Sequence, residues 1–257
     1  MLHDIILFSV GTLVGAMNAI AGGGMLIGFP AMLAVGIPPI VANATTGLIV
    51  LPGNLASLIG YRKYLRRVPR QYLWLIVPVM LGAAIGTHLL RNTSSRSFAD
   101  IVPELILFAV ILFAFQPFLY RYLHQHIHGP VRFRKYVRPL FFIGLAILPV
   151  AIYGGYFGAG LGFIMLSFLS FTGLHEHIHR MNALKLVMTT SVAVTVLVTL
   201  WTSGLIDWRH GIVMGAGTLL GGYVGTVGTQ KVSTHAIRIF IVAIGLVSVA
   251  YLGLRSY

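Results

Sequence analysis

The chain has 257 residues, of which 57% are hydrophobic and 9% charged, with a formal net charge of +13. A soluble domain carries about 25% charged residues, so this composition excludes an ordinary soluble enzyme and points to an integral membrane protein. The sequence contains no cysteine, which removes disulfides, thiolate metal sites and cysteine nucleophiles.

Apolar segments run approximately over 4–21, 25–35, 39–61, 71–90, 101–120, 137–153, 161–172, 181–202, 208–228 and 235–254. A membrane-spanning helix needs about 20 residues. The second and seventh segments fall short of that and read as half-helices or re-entrant pieces. The N-terminal run has no basic n-region, only His3 and Asp4, so it reads as a first span and not as a cleaved signal.

Each short segment follows a glycine cluster. The first is Gly22-Gly23-Gly24, preceded by Asn18; the second is Gly154-Gly155-Tyr156-Phe157-Gly158-Ala159-Gly160-Leu161-Gly162. Consecutive glycines end helices, at roughly 1 kcal/mol each relative to alanine. Irregular backbone at membrane depth is tolerated where it is buried in protein or lines a cavity.

Placing Ala21 on Ala159 brings Gly22 and Gly24 onto Gly160 and Gly162. Asn43-Ala44 then matches Asn182-Ala183 after a one-residue slip. Gly82-Ala83-Ala84-Ile85-Gly86-Thr87 matches Gly221-Gly222-Tyr223-Val224-Gly225-Thr226. Three matches in one order predict an internal duplication. The expected fold is an all-α integral membrane protein of two inverted repeats, about five segments each, making roughly eight to ten spans. The first repeat is expected over 1–122, a basic cytoplasmic linker over 123–136, and the second repeat over 137–257.

The positive-inside rule puts the arginine- and lysine-rich stretches 62–70 and 121–138 in the cytoplasm and both termini outside. This accounts for the positive charge without nucleic acid as a partner. The implied surroundings are the lipid bilayer of a bacterial inner membrane, crossed several times.

The glycine breaks expose backbone N–H groups, and the half-helix after each aims its positive N-terminal end at the break. Together these favour an anion. The competing reading is close helix packing through small residues. Lys185 lies a few residues inside an apolar segment, on one helical face with Asn182 and Thr189. An intramembrane lysine marks a functional site by default, although its stem could also snorkel to the surface. The matching stretch in the first half offers Asn43, Thr45 and Thr46 without charge.

The predicted substrate-binding set is therefore Asn18, Gly22, Gly23, Gly24, Asn43, Thr45, Thr46, Tyr156, Gly158, Gly160, Gly162, Asn182, Lys185 and Thr189. It suits a small oxyanion. Pro52-Gly53-Asn54 predicts a kink, with Asn54 facing either the interior or a polar packing contact.

The five carboxylates, Asp4, Asp100, Glu104, Glu176 and Asp207, all sit at segment ends or in loops. Asp207 before Trp208 reads as a helix N-cap with an interfacial aromatic. No catalytic residue, cofactor or metal is expected. The alternating histidines His124-Gln125-His126-Ile127-His128 and His175-Glu176-His177-Ile178-His179 read as polar loop residues on the cytoplasmic side, with metal binding in an extended segment as the weaker alternative. His88 and His210 are candidates to take up a proton.

At these residues the chain resembles the sulfite exporter TauE/SafE family, over nearly its whole length. The similarity rests on Gly15-Ala16-Met17-Asn18-Ala19-Ile20-Ala21-Gly22-Gly23-Gly24, on Pro30 and Gly36-Ile37-Pro38, on the second glycine cluster, and on Asn182-Ala183-Leu184-Lys185, Asp207-Trp208 and Gly221-Gly222-Tyr223-Val224-Gly225. The resemblance implies a secondary transporter of sulfur-containing anions such as sulfite, sulfoacetate or other sulfonates. Members often have Asn-Lys where this chain has Thr46-Gly47, so this chain has one fixed charge fewer there.

The expected function is inner-membrane transport of a small sulfur-containing anion, in the export direction, by alternating access, with a co-transported proton or sodium as a possible partner. The alternatives are a membrane-embedded enzyme or accessory subunit handling a sulfur compound, and an anion channel. Nothing in the sequence offers a nucleophile paired with a base.

Overall fold

The structure is a computed structural model and describes residues 2–20, 22–127, 139–169, 178–228, 242–247 and 249–250. The expected linker over 123–136 and the histidines His128, His175 and His177 lie wholly or mostly outside these residues. So does much of the last expected segment, 235–254, of which 242–247 is helical.

Among the described residues the elements are helices and no strand is present. They are α1 (Leu2–Ile20), α2 (Met25–Ala34), α3 (Pro39–Leu65), a 3-10 turn (Arg70–Leu75), α4 (Ile76–Asn92), α5 (Ser95–Ile127), α6 (Pro139–Tyr156), α7 (Leu161–Leu169), α8 (Ile178–Leu200) and α9 (Trp208–Gly228). Four stretches, His3–Ile20, Pro39–Leu65, Arg70–Asn92 and Ile178–Leu200, are long and apolar enough to cross a membrane by length and composition. At 1.5 Å per residue, α2 and α7 reach only about 14–15 Å, half of a hydrocarbon core about 30 Å thick.

Small residues set the packing. α1, α3 and α9 run side by side in the same direction. Along α1 against α9, Asp4 lies by Arg209, Gly11 against Met214, and Gly15 against Thr218 and Gly222. Along α3 against α9, Thr45 meets Gly211, Gly53 meets Thr218, and Gly60 meets Thr226. α4 and α6 form a second parallel pair, with Gly82 on Ala151 and Gly86 on Ile152 and Tyr156. α8 runs opposite to α3, so Tyr64 meets His179 at one end and Gly47 meets Val196 toward the other.

At Gly82, Gly86, Gly155, Gly221, Gly222 and Gly225 a Cβ would run into backbone of the neighbouring helix. Close approach therefore requires glycine there. Hydroxyls tie the same seams: Ser57 Oγ donates to Gly222 O at 3.2 Å, and Thr87 Oγ1 donates to Gly155 O at 3.2 Å. The large side chains Leu81, Ile85, Leu89, Ile212, Leu219 and Val224 point outward, as a lipid-facing surface requires.

α3 opens on Pro38 and Pro39, where a missing N–H costs nothing. Pro52 sits inside it and loosens the turn before it. Thr218 Oγ1 reaches into that turn and donates to Ile49 O at 2.6 Å.

Candidate functional site between two helix breaks

The breaks after α1 and α6 are built alike. Gly22 N–H donates to Met17 O at 3.1 Å and Gly158 N–H to Tyr153 O at 3.1 Å. Both glycines have positive φ, 88° and 74°, a conformation that other residues adopt only with strain. The next turns start alike too: Ile27 and Gly28 donate to Gly24 O, and Phe163 and Ile164 to Gly160 O. This backbone pattern sets Gly22 on Gly158 and Gly24 on Gly160. The register is thus two residues away from the one read by placing Ala21 on Ala159, because glycine spacing alone does not tell which glycine carries the positive φ.

The two breaks touch. A Cβ on Gly22 would lie 2.6 Å from Gly162 Cα, and one on Gly162 would lie 2.6 Å from Gly22 Cα. Beside this crossing lies a cavity of about 40 Å³, room for a few waters at ~10–15 Å³ each. Asn18, Gly22 and Met25 from the first break line it, together with Gly154, Gly158, Leu161 and Gly162 from the second. Gly47 and Val50 of α3 and Thr189, Val192, Ala193 and Val196 of α8 complete the wall.

Of the residues predicted from the sequence, Asn18, Gly22, Gly158, Gly162 and Thr189 line the cavity. The rest stand behind or beside it. Gly23 and Gly24 are buried under the first break, and Gly160 carries a second positive φ of 74° in the other. Asn43 Nδ2 donates to Tyr156 O at 2.9 Å and so holds the end of α6. Tyr156 turns its hydroxyl to Thr93 Oγ1 at 3.4 Å. Thr46 Oγ1 donates to Ala42 O at 2.6 Å. Thr45 Oγ1 accepts from Asp207 N–H at 2.9 Å.

Lys185 is 1% exposed, and its Nζ donates to Asn18 O at 3.2 Å. That carbonyl belongs to the last turn of α1, where the helix dipole is negative. The ammonium thus caps α1 from behind the cavity wall. The snorkelling expected as the alternative does not occur. Asn43 Oδ1 and Asn182 Oδ1 are buried without a hydrogen-bond partner.

Asn54, which the predicted set omits, joins two of the lining residues from behind the wall. It is fully buried. Its Oδ1 accepts from Asn18 Nδ2 at 2.7 Å, and its Nδ2 donates to Thr189 Oγ1 at 3.1 Å. A polar chain thus crosses from α1 through α3 to α8. The signal in the sequence was the Pro52-Gly53 kink that precedes it.

At the far end of α3 and α9 from the basic residues 62–70, Asp207 caps α9. Its Oδ1 accepts from His210 N–H at 3.1 Å. Its Oδ2 meets His210 Nδ1 at 2.8 Å. Partial burial works to raise the Asp207 carboxyl, and the hydrogen bonds from the His210 side chain and backbone outweigh it, so the group is held below its ordinary value.

Comparison with known proteins agrees with this architecture. The family model described as Sulfite exporter TauE/SafE matches residues 7–252. A probable membrane transporter protein of Haemophilus influenzae is 36% identical over 224 residues, covering 86% of this chain and 82% of the relative. The probable membrane transporter protein YfcA of Escherichia coli is 28% identical over 249 residues, covering 96% and 88%. A similar protein from a Sinorhizobium species is 27% identical over 221 residues, covering 86% and 80%. No solved structure matches the chain. Helices of this length and hydropathy, a match over almost the whole chain and relatives named as membrane transporters lead to one conclusion: this chain belongs to the sulfite exporter TauE/SafE family of multi-pass bacterial membrane transporters.

Proposed function

We propose that the protein is a secondary carrier, without enzymatic activity, for a small sulfur-containing anion of the sulfite and sulfonate class. The observation that carries the reading is the crossing of Gly22 and Gly162 beside one cavity lined by both breaks. Paired broken helices near the membrane midplane are where many secondary transporters hold their substrate. α2 and α7 start at these breaks, and the positive N-terminal end of a helix favours an anion.

Two matched pairings support alternating access by two inverted repeats. The first helix of the first half, α1, packs on α9, and the first helix of the second half, α6, packs on α4. Rocking one bundle against the other would open the cavity to each side in turn. Lys185 supplies positive potential from behind the wall. Asn18, Thr189 and the break backbone would touch the anion directly. Asn43, Thr45, Thr46, Tyr156, Asn182, Gly23, Gly24 and Gly160 hold the breaks in place.

A membrane potential that is negative inside favours anion exit by about 2.3 kcal/mol per charge per 100 mV. Export can therefore run without a coupled ion, and uptake would need a proton or sodium. The test is flux in liposomes containing purified protein, with labelled sulfite, sulfate, thiosulfate and sulfoacetate compared with and without a pH gradient. Saturable flux of a sulfur anion above that of empty liposomes is expected. A conductance without saturation would identify a channel instead, and no flux of any of these anions would remove the assignment.

A further inference from the structure

The N-cap role of Asp207 uses one carboxylate oxygen. Its Oδ1 accepts the His210 backbone N–H at 3.1 Å, as N-caps do. The other oxygen, Oδ2, meets His210 Nδ1 at 2.8 Å, which capping does not require. The acid and the imidazole are partly buried, with side chains 26% and 22% exposed, so water screens the pair only in part.

The pair is wired to the cavity helix. The Asp207 backbone N–H donates to Thr45 Oγ1 at 2.9 Å, and the Thr45 hydroxyl is fully buried. One turn further, a Cβ on Gly211 would come within 3.1 Å of the Thr45 methyl, so α9 sits directly on α3 here. Gly47, two residues on, lines the cavity.

Few charges surround the pair. α1 brings His3 and Asp4, and Asp4 lies 4.0 Å from Arg209. α3 faces it with the uncharged Thr45, and the loop 201–206 carries no charged residue. Trp201 and Trp208 pack edge to face at 4.9 Å across that loop.

We propose that Asp207 and His210 form a proton-binding site at the outer mouth, and that its occupancy sets how firmly α9 is seated on α3 beside the cavity. The proposal rests on reading the chain as an anion carrier. With neutral His210, Nδ1–H donates to Asp207, and the Asp207 carboxylate repels an anion at the mouth. A proton from solvent adds to Nε2. The pair gains one positive charge, the hydrogen bond to Asp207 becomes an ion pair, and the barrier to the anion falls. Histidine is the side chain whose ordinary range spans pH 5 to 8, the range in which the outer face of a bacterium changes.

The test uses the two tryptophans as reporters. In a Trp74→Phe background, Trp201 and Trp208 are the remaining tryptophans, and their fluorescence in detergent is followed from pH 5 to 8. A transition of one proton is expected. His210→Gln abolishes it, and Asp207→Asn changes it, because the carboxylate that meets the imidazole is gone. In liposomes, flux of methanesulfonate, which stays ionised across this range, rises about tenfold on acidification in the parent protein and is flat in His210→Gln. If His210→Gln does not fold, the change in Asp207→Asn decides. A fluorescence transition unchanged in both variants overturns the proposal. Absence of sulfonate and sulfite flux in every protein at every pH sinks the carrier reading instead, while the fluorescence result still judges the proton site.

Discussion

Gly22 and Gly162 meet backbone to backbone, each leaving no room for a Cβ on the other. This contact joins two helix breaks that are far apart in sequence. Alanine at 162 would place a methyl 2.6 Å from Gly22 Cα, and both breaks would have to part. Gly162→Ala is expected to lower stability by about 1–3 kcal/mol, the usual range for overpacking. Gly204→Ala is the control. Its φ is 73° but nothing lies within 4 Å of the added methyl, so it carries only the backbone strain of about 1–2 kcal/mol. Thermal unfolding in detergent gives both values, and transport should fall in Gly162→Ala and survive in Gly204→Ala.

Lys185 presents a separate question, because it stands behind the cavity wall and caps Asn18 O. Lys185→Met keeps the volume and removes the charge. Folded protein is expected to remain, since replacing a buried charge by an apolar side chain of similar size is often tolerated. Saturable anion transport is expected to drop at least tenfold. Unchanged transport with unchanged affinity would show that the ammonium serves only the end of α1.

Asn54 ties Asn18 to Thr189. Asn54→Ala would strand Asn18 Nδ2, at about 1–3 kcal/mol, while Thr189 Oγ1 keeps Lys185 O at 3.0 Å. The variant should unfold at lower temperature. Asn54→Leu, which also removes the amide, should not rescue it, because the partners and not the volume are lost. Recovery in the leucine variant would reduce Asn54 to a filler.

Asp207 yields a stability prediction with a definite sign. Its folded-state carboxyl lies below its ordinary value, so its contribution is present above the unfolded value of about 3.9 and is lost as pH falls through the folded one. Wild type should be more thermostable than Asp207→Ala at pH 7, by roughly the 0.5–2 kcal/mol of an N-cap. The gap should close below about pH 4. A gap independent of pH would show that the capping does not depend on the charge.

Much of this was legible in the chain. Segment positions, the shortness of α2 and α7, and the breaks all follow from apolar length and glycine, which act locally. Lateral relations do not. The sequence suggested that Gly22 and Gly160 match, but the hydrogen bonds pair Gly22 with Gly158. The repeat pattern singled out Gly222, but not that a Cβ there runs into Gly53 O of α3. Small residues pack helices closely along α9, and at the breaks they line a cavity. Lys185 could be seen to lie inside an apolar segment, but not to be buried against a carbonyl instead of the cavity, because helical periodicity fixes a face and not its neighbour.

The central claim is that the cavity between the breaks holds the anion and opens to both sides. Because the chain lacks cysteine, a single cysteine at Ala193 in the cavity wall can be labelled in oriented vesicles with a membrane-impermeant maleimide from either side. The account predicts labelling from both sides, slowed several-fold by saturating sulfoacetate and not by an equal concentration of a non-sulfur anion such as chloride. Labelling from one side only, or at a rate indifferent to sulfoacetate while sulfoacetate is transported, would contradict it.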